Sequence, residues 1–94
     1  MKKLKKINIC GVDYDIEYVE DRMTKHGVGT SASESTWATK IWVDTTQSEE
    51  SMGYSLIHEV VEAINSLNNM ELNHQQISTL GVSLYGVFKQ LEKQ

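Results

Sequence analysis

The sequence feature that most constrains this chain is the run SLIHEVVEAI at positions 55–64. Its apolar residues recur at the helical period, so the run predicts an amphipathic helix. His58 and Glu62 are four residues apart and therefore lie on one side of that helix, where both can bind a single ion. Glu59 projects about 100° around the axis from His58. From there it can reach a metal-bound water without being a ligand.

This spacing follows the logic of the His-Glu-x-x-His zinc helix, in which two ligands lie one turn apart and the intervening Glu is the general base. In this chain Glu62 takes the place of the second His and keeps a side chain that can bind metal. His58, Glu59 and Glu62 also all fall on the polar side of the predicted helix, where a surface helix carries such residues for solubility alone. The spacing by itself therefore leaves a metal site and a solvated face equally open.

A zinc site on this helix needs a third ligand, because two side chains do not complete a tetrahedral site. His74 is the preferred candidate, since it borders the apolar stripe of a second predicted helix. If that helix ran straight back along the first, His74 would lie about 10 Å beyond Glu62. Residues 69–72 must therefore fold back toward Glu62. Glu71, in the same turn, is the alternative third ligand.

Length, charge and cysteine content limit the class of protein. The chain has 94 residues, which suits one domain spanning 1–94, and its formal net charge of −4 argues against a general nucleic-acid binder. No apolar run reaches the length of a membrane span, and residues 1–10 lack the apolar centre of a signal peptide. The lone Cys10 suits a reducing compartment and is expected to be a small buried residue. These features predict a cytoplasmic protein with no nucleic-acid or membrane partner.

The order of the predicted elements indicates an α+β fold. Alternating apolar and polar residues predict strands at about 5–10, 14–19 and 37–44, the first two forming a hairpin around a turn at Gly11-Val12-Asp13, and helical periodicity predicts helices at about 47–68 and 73–92. The polar, Gly- and Ser-rich segment Glu20–Thr36, which contains His26 as a solvated side chain, is expected to be a loop. We therefore expect a small antiparallel sheet, made of the N-terminal hairpin plus an edge strand, packed on two helices.

Capping patterns predict where the two helices begin. The first should begin at a capping box formed by Thr46 and Glu49, and the second at one formed by Asn73 and Gln76. The second helix carries an apolar stripe to its C-terminal end, made of Ile77, Leu80, Leu84, Val87, Phe88 and Leu91.

Two motifs in the second half of the chain resemble a known group of metalloproteins. The zincin arrangement is an edge strand followed by the active-site helix. The chain resembles it in the run IWVD, which is followed by a short polar stretch and then by SLIHEVVEAI. The pattern is similar to the ImmA/IrrE-type metallopeptidases, whose corresponding helix carries HExxH. More closely, residues 42–89 resemble small proteins encoded by phages and prophages of Gram-positive bacteria. The matching residues are His58, Glu59, Glu62, Ala63, His74, Leu80, Leu84, Tyr85 and Val87.

The resemblance implies a minimal zincin-like domain in the bacterial host cytosol that binds one Zn²⁺ ion. By it, His58, Glu62 and His74 would be the metal ligands and Glu59 the catalytic base. The protein would be a zinc-dependent hydrolase, a minimal metallopeptidase of phage or prophage origin. A peptide or protein substrate would add as a strand to the edge at residues 40–44.

Two other functions stay open from the sequence. The first is a non-enzymatic phage accessory protein that binds and inhibits a host or defence protein, with a structural or vestigial metal site. The second is a metal-free dimer that uses Trp42 and the second helix. A His/Glu ligand set is permissive, so the sequence does not distinguish zinc from other divalent ions, and it leaves the oligomeric state open.

Overall fold

The fold contains a four-stranded sheet and two helices. The computed structural model describes residues 4–20, 27–30 and 39–93. Its elements are β1 (Lys6–Ile9), β2 (Val12–Val19), β3 (Gly27–Thr30), β4 (Thr39–Asp44), α1 (Glu49–Leu67) and α2 (His74–Glu92). The α+β class and the packing of a small sheet on a helical pair are therefore confirmed. The predictions made for His26 and for residues 37 and 38 lie outside the described residues.

The sheet is mixed, and its strand order is β1-β2-β4-β3. β4 is parallel to β2, with Ile16 opposite Ile41, and antiparallel to β3, with Val28 opposite Ile41. The predictions of a purely antiparallel sheet and of an edge strand at 37–44 are therefore wrong. Parallel pairing needs a connection of a dozen or more residues, and 19 residues separate the end of β2 at Val19 from the start of β4 at Thr39.

β3 was missed because its sequence gives almost no strand signal. The segment Gly27-Val28-Gly29-Thr30 is half glycine, and glycine is depleted in strands because it contributes no side chain to the sheet surface. The expectation of a loop throughout Glu20–Thr36 is wrong over these four residues. Because β3 occupies the outer side of β4, it moves the edge of the sheet away from residues 40–44.

The hairpin turn lies one residue earlier than the sequence predicts. Cys10 and Gly11 have φ values of 52° and 86°, and Ile9 pairs with Val12 across them. Positive φ at both central residues is the type I′ geometry that matches the twist of a two-residue hairpin. The Asn8 side chain fixes the turn, because its Oδ1 accepts the Gly11 N–H at 3.1 Å. Cys10 is therefore exposed on the turn and not buried as predicted.

Helix α1 has two apolar sides and lies between the sheet and α2. Leu56 and Ala63 face the sheet, in a core with Ile9, Tyr14, Ile16, Ile41 and Val43. Ile57 and Val61 face α2, in a second cluster with Ile77 and Tyr85. Within the described part of the chain, the α2 backbone approaches α1 and none of the strands.

No helix among these residues is long and apolar enough to cross a bilayer.

Side-chain caps define the start of both helices. The Ser48 Oγ accepts the Ser51 N–H at 3.1 Å, so α1 is capped by Ser48 and not by Thr46 as predicted. The Thr46 hydroxyl instead donates to Asp44 at the end of β4, at 2.7 Å. The predicted capping box of α2 is confirmed: Asn73 accepts the Gln76 N–H at 2.8 Å, and the Gln76 side chain accepts the Asn73 N–H at 2.9 Å.

Gly53 allows the C-terminal half of α2 to pack closely on α1. A Cβ built on Gly53 would lie only 2.8 Å from Cζ of Tyr85, whose ring is 6% exposed. The Tyr85 ring also packs on Tyr54, with the two centroids 4.4 Å apart. The buried phenol ring of Tyr85 therefore occupies the space above the glycine.

Alanine substitution at Gly53 and at Gly86 should change the free energy of unfolding in opposite directions. Gly53→Ala should destabilise the protein by about 1–3 kcal/mol, because the buried Tyr85 ring has to move. Gly86→Ala should stabilise it by about 0.5–1 kcal/mol, because a Cβ there meets nothing within 4 Å and alanine is the better helix former. Urea unfolding of both variants measures the difference. Equal effects would contradict the close contact at Gly53.

The stability of the fold should fall above pH 10. Burial raises the pKa of the Tyr14 phenol above its ordinary value of 10.0, and negative charge on Cys10 raises it further. The unfolded chain therefore loses this proton at a lower pH than the folded chain, so raising the pH past 10 favours unfolding. Urea unfolding between pH 8 and pH 11 should show a smaller alkaline loss of stability in Tyr14→Phe than in the wild type. An unchanged loss would contradict this assignment.

Candidate metal centre between the two helices

His58 and Glu62 lie one turn apart on the polar side of α1. The Nε2 atom of His58 is 3.7 Å from Oε2 of Glu62. The His58 side chain is 22% exposed and that of Glu62 is 39% exposed, so both are partly shielded and still reachable from solvent. The helix thus presents an imidazole and a carboxylate to the same small region.

His74 is the first residue of α2, and its ring lies against that of His58. The two ring centroids are 5.5 Å apart, and the ring planes are inclined at 58°. The Nε2 atom of His74 is 3.5 Å from the Ser78 hydroxyl, one turn along α2. His58 therefore lies beside each of the other two predicted ligands, Glu62 on its own helix and His74 on the next.

The turn between the helices brings His74 back to His58. The carbonyl of Asn65 accepts the Met70 N–H at 3.0 Å, and its side-chain oxygen accepts the Leu72 N–H at 3.1 Å. Asn69 takes a left-handed conformation with φ of 50°, which reverses the chain. This is the fold-back that the sequence requires of residues 69–72. Glu71, the alternative third ligand, is exposed in the same turn.

Gly81 marks a close approach of α2 to α1 at His58. A Cβ built on Gly81 would lie 3.2 Å from the Cα of His58. A side chain at this position would push the two helices apart beside the candidate ligands. The periodicity of α2 places Gly81 on the same side as His74, and this was the sequence signal for the contact.

Glu59, the predicted base, lines a cavity next to His58. The cavity has a volume of about 340 Å³ and is bounded by Trp42, Tyr54, Ser55, His58, Glu59, Ser78, Gly81 and Val82. Its walls combine aromatic and aliphatic surface with two hydroxyls, an imidazole and a carboxylate. Sequence reasoning missed most of these residues, because they come from a strand and from two helices whose relative placement no local pattern gives.

The two separations measured from His58 can be compared with those in a tetrahedral zinc site. Two imidazoles bound at Zn–N distances of about 2.0–2.1 Å place their centroids about 5.2 Å apart, against 5.5 Å between His58 and His74. A bound nitrogen and a bound carboxylate oxygen lie about 3.4 Å apart, against 3.7 Å between His58 and Glu62. Both separations are within a few tenths of an ångström of the values for zinc.

The three side chains do not form a closed ligand cage as they stand. Across residues 4–20, 27–30 and 39–93, no three His, Cys, Asp or Glu side chains are arranged to hold a metal ion. The Nε2 atom of His74 lies beside Ser78, and the His74 side chain is exposed apart from its contact with the His58 ring. Exposed side chains change rotamer within nanoseconds. Two imidazoles and a carboxylate are a donor set that zinc accepts, but in this arrangement the three side chains do not converge on one point.

The chain was compared with protein-family models, with curated proteins and with solved structures. None of the three comparisons found a match. The interpretation of the site therefore depends on the arrangement of its own residues.

Proposed function

We propose that this protein is a zinc-dependent hydrolase whose ion is held by His58, Glu62 and His74. The observation that carries the proposal is that His58 has a carboxylate on one side and a second imidazole on the other. Its Nε2 atom lies 3.7 Å from Oε2 of Glu62 on the same helix. Its ring centre lies 5.5 Å from that of His74 on the next helix. A bound zinc ion would supply a polarised substrate carbonyl and a more acidic water. His and Glu are ordinary zinc ligands in catalytic sites that keep one position open.

Glu59 has the general-base role in this proposal. It follows His58 directly on α1 and lines the same cavity, so a water bound in that cavity would lie close to both residues. The Glu59 carboxylate would take a proton from the attacking water and return it to the leaving amine of a peptide. Ser55 on α1 and Ser78 on α2 add hydroxyl groups to the lining of the cavity.

A peptide substrate would bind at β3 and not at β4. The two sides of β4 are paired with β2 and β3, so the proposed addition of a peptide at residues 40–44 is excluded. Among the described strands, β3 pairs with β4 alone, and its backbone also contacts α1. An extended peptide can add to such an edge through main-chain hydrogen bonds. The bound chain would then lie on the edge of the sheet that borders the helix carrying His58.

A second candidate is a non-enzymatic accessory protein of phage origin that binds and inhibits a host or defence protein. The size of the cavity favours it. At about 340 Å³ the cavity is near the lower limit of ordinary ligand pockets, which run from about 300 to 1,000 Å³. In this case the cation would hold α1 against α2, and the protein would not catalyse a reaction.

Metal binding should depend on His58 and not on His26. Protein purified without chelator should contain about one zinc ion per chain, and His58→Ala should bind zinc at least about 100-fold more weakly because it loses a direct ligand. His26→Ala is the matched control and should bind zinc as the wild type does. Elemental analysis and titration calorimetry measure both. Equal loss in the two variants, or none in either, would overturn the ligand assignment.

Hydrolysis should depend on Glu59 while zinc binding does not. Glu59→Gln should keep its zinc and cleave a broad peptide library about 10²–10⁴-fold more slowly than the wild type, because it loses the base and keeps the ligands. Glu62→Gln should lose both properties. A zinc-loaded wild type that cleaves no member of the library would favour the accessory protein over the hydrolase.

A further inference from the structure

Helix α2 exposes an apolar seam that the rest of the molecule leaves uncovered. The α1 helix buries Ile77, Gly81 and Tyr85 of α2. The predicted apolar stripe continues past this contact, yet Leu80 is 40% exposed, Val87 47% and Leu91 60%. Together with the half-buried Leu84, these side chains repeat at intervals of four, three and four residues. That is the spacing of a helix that packs against another helix.

The exposed side of α2 is uncharged up to Lys89, which pairs with Glu92 in the last turn. Residues 75–88 contain no Lys, Arg, Asp or Glu, although the chain as a whole carries a formal net charge of −4. A helix that faces water ordinarily carries charged residues on its outer side, whereas the centres of protein interfaces are depleted of charge. The positions that flank the seam are filled by Gln76, Ser83 and Gln90. Two identical helices meeting at this seam would therefore bring no like charges together there.

We propose that the α2 seam is the interface of a symmetric dimer with a second copy of this chain. A two-fold axis between Leu84 and Val87 makes the two helices antiparallel and pairs Leu80 with the partner's Leu91 and Leu84 with the partner's Val87. A single alignment of the two helices gives both of these pairs. Each of the four seam side chains therefore packs against an apolar side chain of the other copy. The antiparallel arrangement also places opposite ends of the helix dipoles together. The four helices of the dimer would form a bundle with one sheet on each outer side.

The size of the seam sets the strength of this contact. The seam residues Leu80, Val87 and Leu91 and the adjacent Phe88 are 40–60% exposed, and together they present roughly 350 Å² of surface, less than half of the roughly 800 Å² that a standard interface buries per partner. Contacts from Ser83 and Gln90 add polar area along a helix about 28 Å long. The dimer should therefore be reversible, with a dissociation constant of roughly 1–100 µM.

The seam is separate from the candidate metal centre. On α2 it lies about 90° around the helix from Gly81, which faces His58. The cavity is lined by Ser78 and Val82, on the flank of α2 that points away from the seam. Dimerisation would therefore leave the candidate ligands and Glu59 open to solvent. The dimer and the metal site can be tested independently.

Sedimentation equilibrium of the full chain from about 1 to 500 µM, with and without chelator, tests the proposal. The wild type should change from monomer to dimer across this range in both conditions. Val87→Glu, which buries a carboxylate at the centre of the contact, should weaken association at least tenfold. Gln75→Glu adds the same charge on the opposite side of α2 and should dimerise as the wild type does. Circular dichroism checks that each variant is folded, and Leu91→Glu replaces Val87→Glu if that variant is not.

Three outcomes would overturn the proposal. The first is a wild type that stays monomeric at the highest concentration. The second is a folded Val87→Glu or Leu91→Glu variant that dimerises as tightly as the wild type. The third is a monomeric wild type whose seam binds only a helix of a different protein. None of these outcomes depends on whether His58 binds zinc.

Discussion

The burial of α1 on two sides is the constraint on which the rest of the structure depends. Leu56 and Ala63 pack on the sheet, while Ile57 and Val61 pack on α2. Burial of an aliphatic side chain of the size of Leu, Ile or Val contributes about 1.5–3 kcal/mol, so these contacts fix both the position and the rotation of the helix. Beyond the first turn of α1, little more than one strip of the helix surface remains for polar residues. His58, Glu59 and Glu62 all lie in that strip.

The same constraint explains why His74 reaches His58. Gly53 and Gly81 allow α2 to approach α1 closely at two points, one below Tyr85 and one beside His58. Asn65 then ties the connecting turn to α1 through two hydrogen bonds. A cation bound across this contact would join the two helices directly. Because it would bind the folded chain and not the unfolded one, it would also stabilise the fold, by about 2.7 kcal/mol at a concentration 100 times its dissociation constant.

The parts of the fold that depend on local chemistry could be predicted from the sequence. The capping pair Asn73 and Gln76 placed the start of α2, and helical periodicity put His58 and Glu62 on one side of α1. The need for residues 69–72 to fold back followed from helical rise alone. The hairpin was recognised but shifted, since the I′ turn uses Cys10, a residue that rarely takes positive φ.

The parts that depend on distant contacts could not be predicted. β3 has a glycine-rich sequence without alternation, so its pairing with β4 gives no local signal. The parallel pairing of β2 with β4 joins residues far apart in the chain, so no local pattern predicts it either. The cavity beside Glu59 combines Trp42 from β4 with residues of both helices, whose arrangement is set by the cores on either side of α1. The partial exposure of the α2 stripe follows from the same arrangement, because α1 covers Ile77 and Tyr85 but leaves Val87 and Leu91 open.

The most direct test of the central claim is the anomalous scattering of a crystal grown with zinc, measured on both sides of the zinc absorption edge. We expect one peak at the α1–α2 contact, about 2.0–2.2 Å from a nitrogen of His58, a nitrogen of His74 and a carboxylate oxygen of Glu62. A map in which these three side chains point into solvent with no peak between them would contradict it.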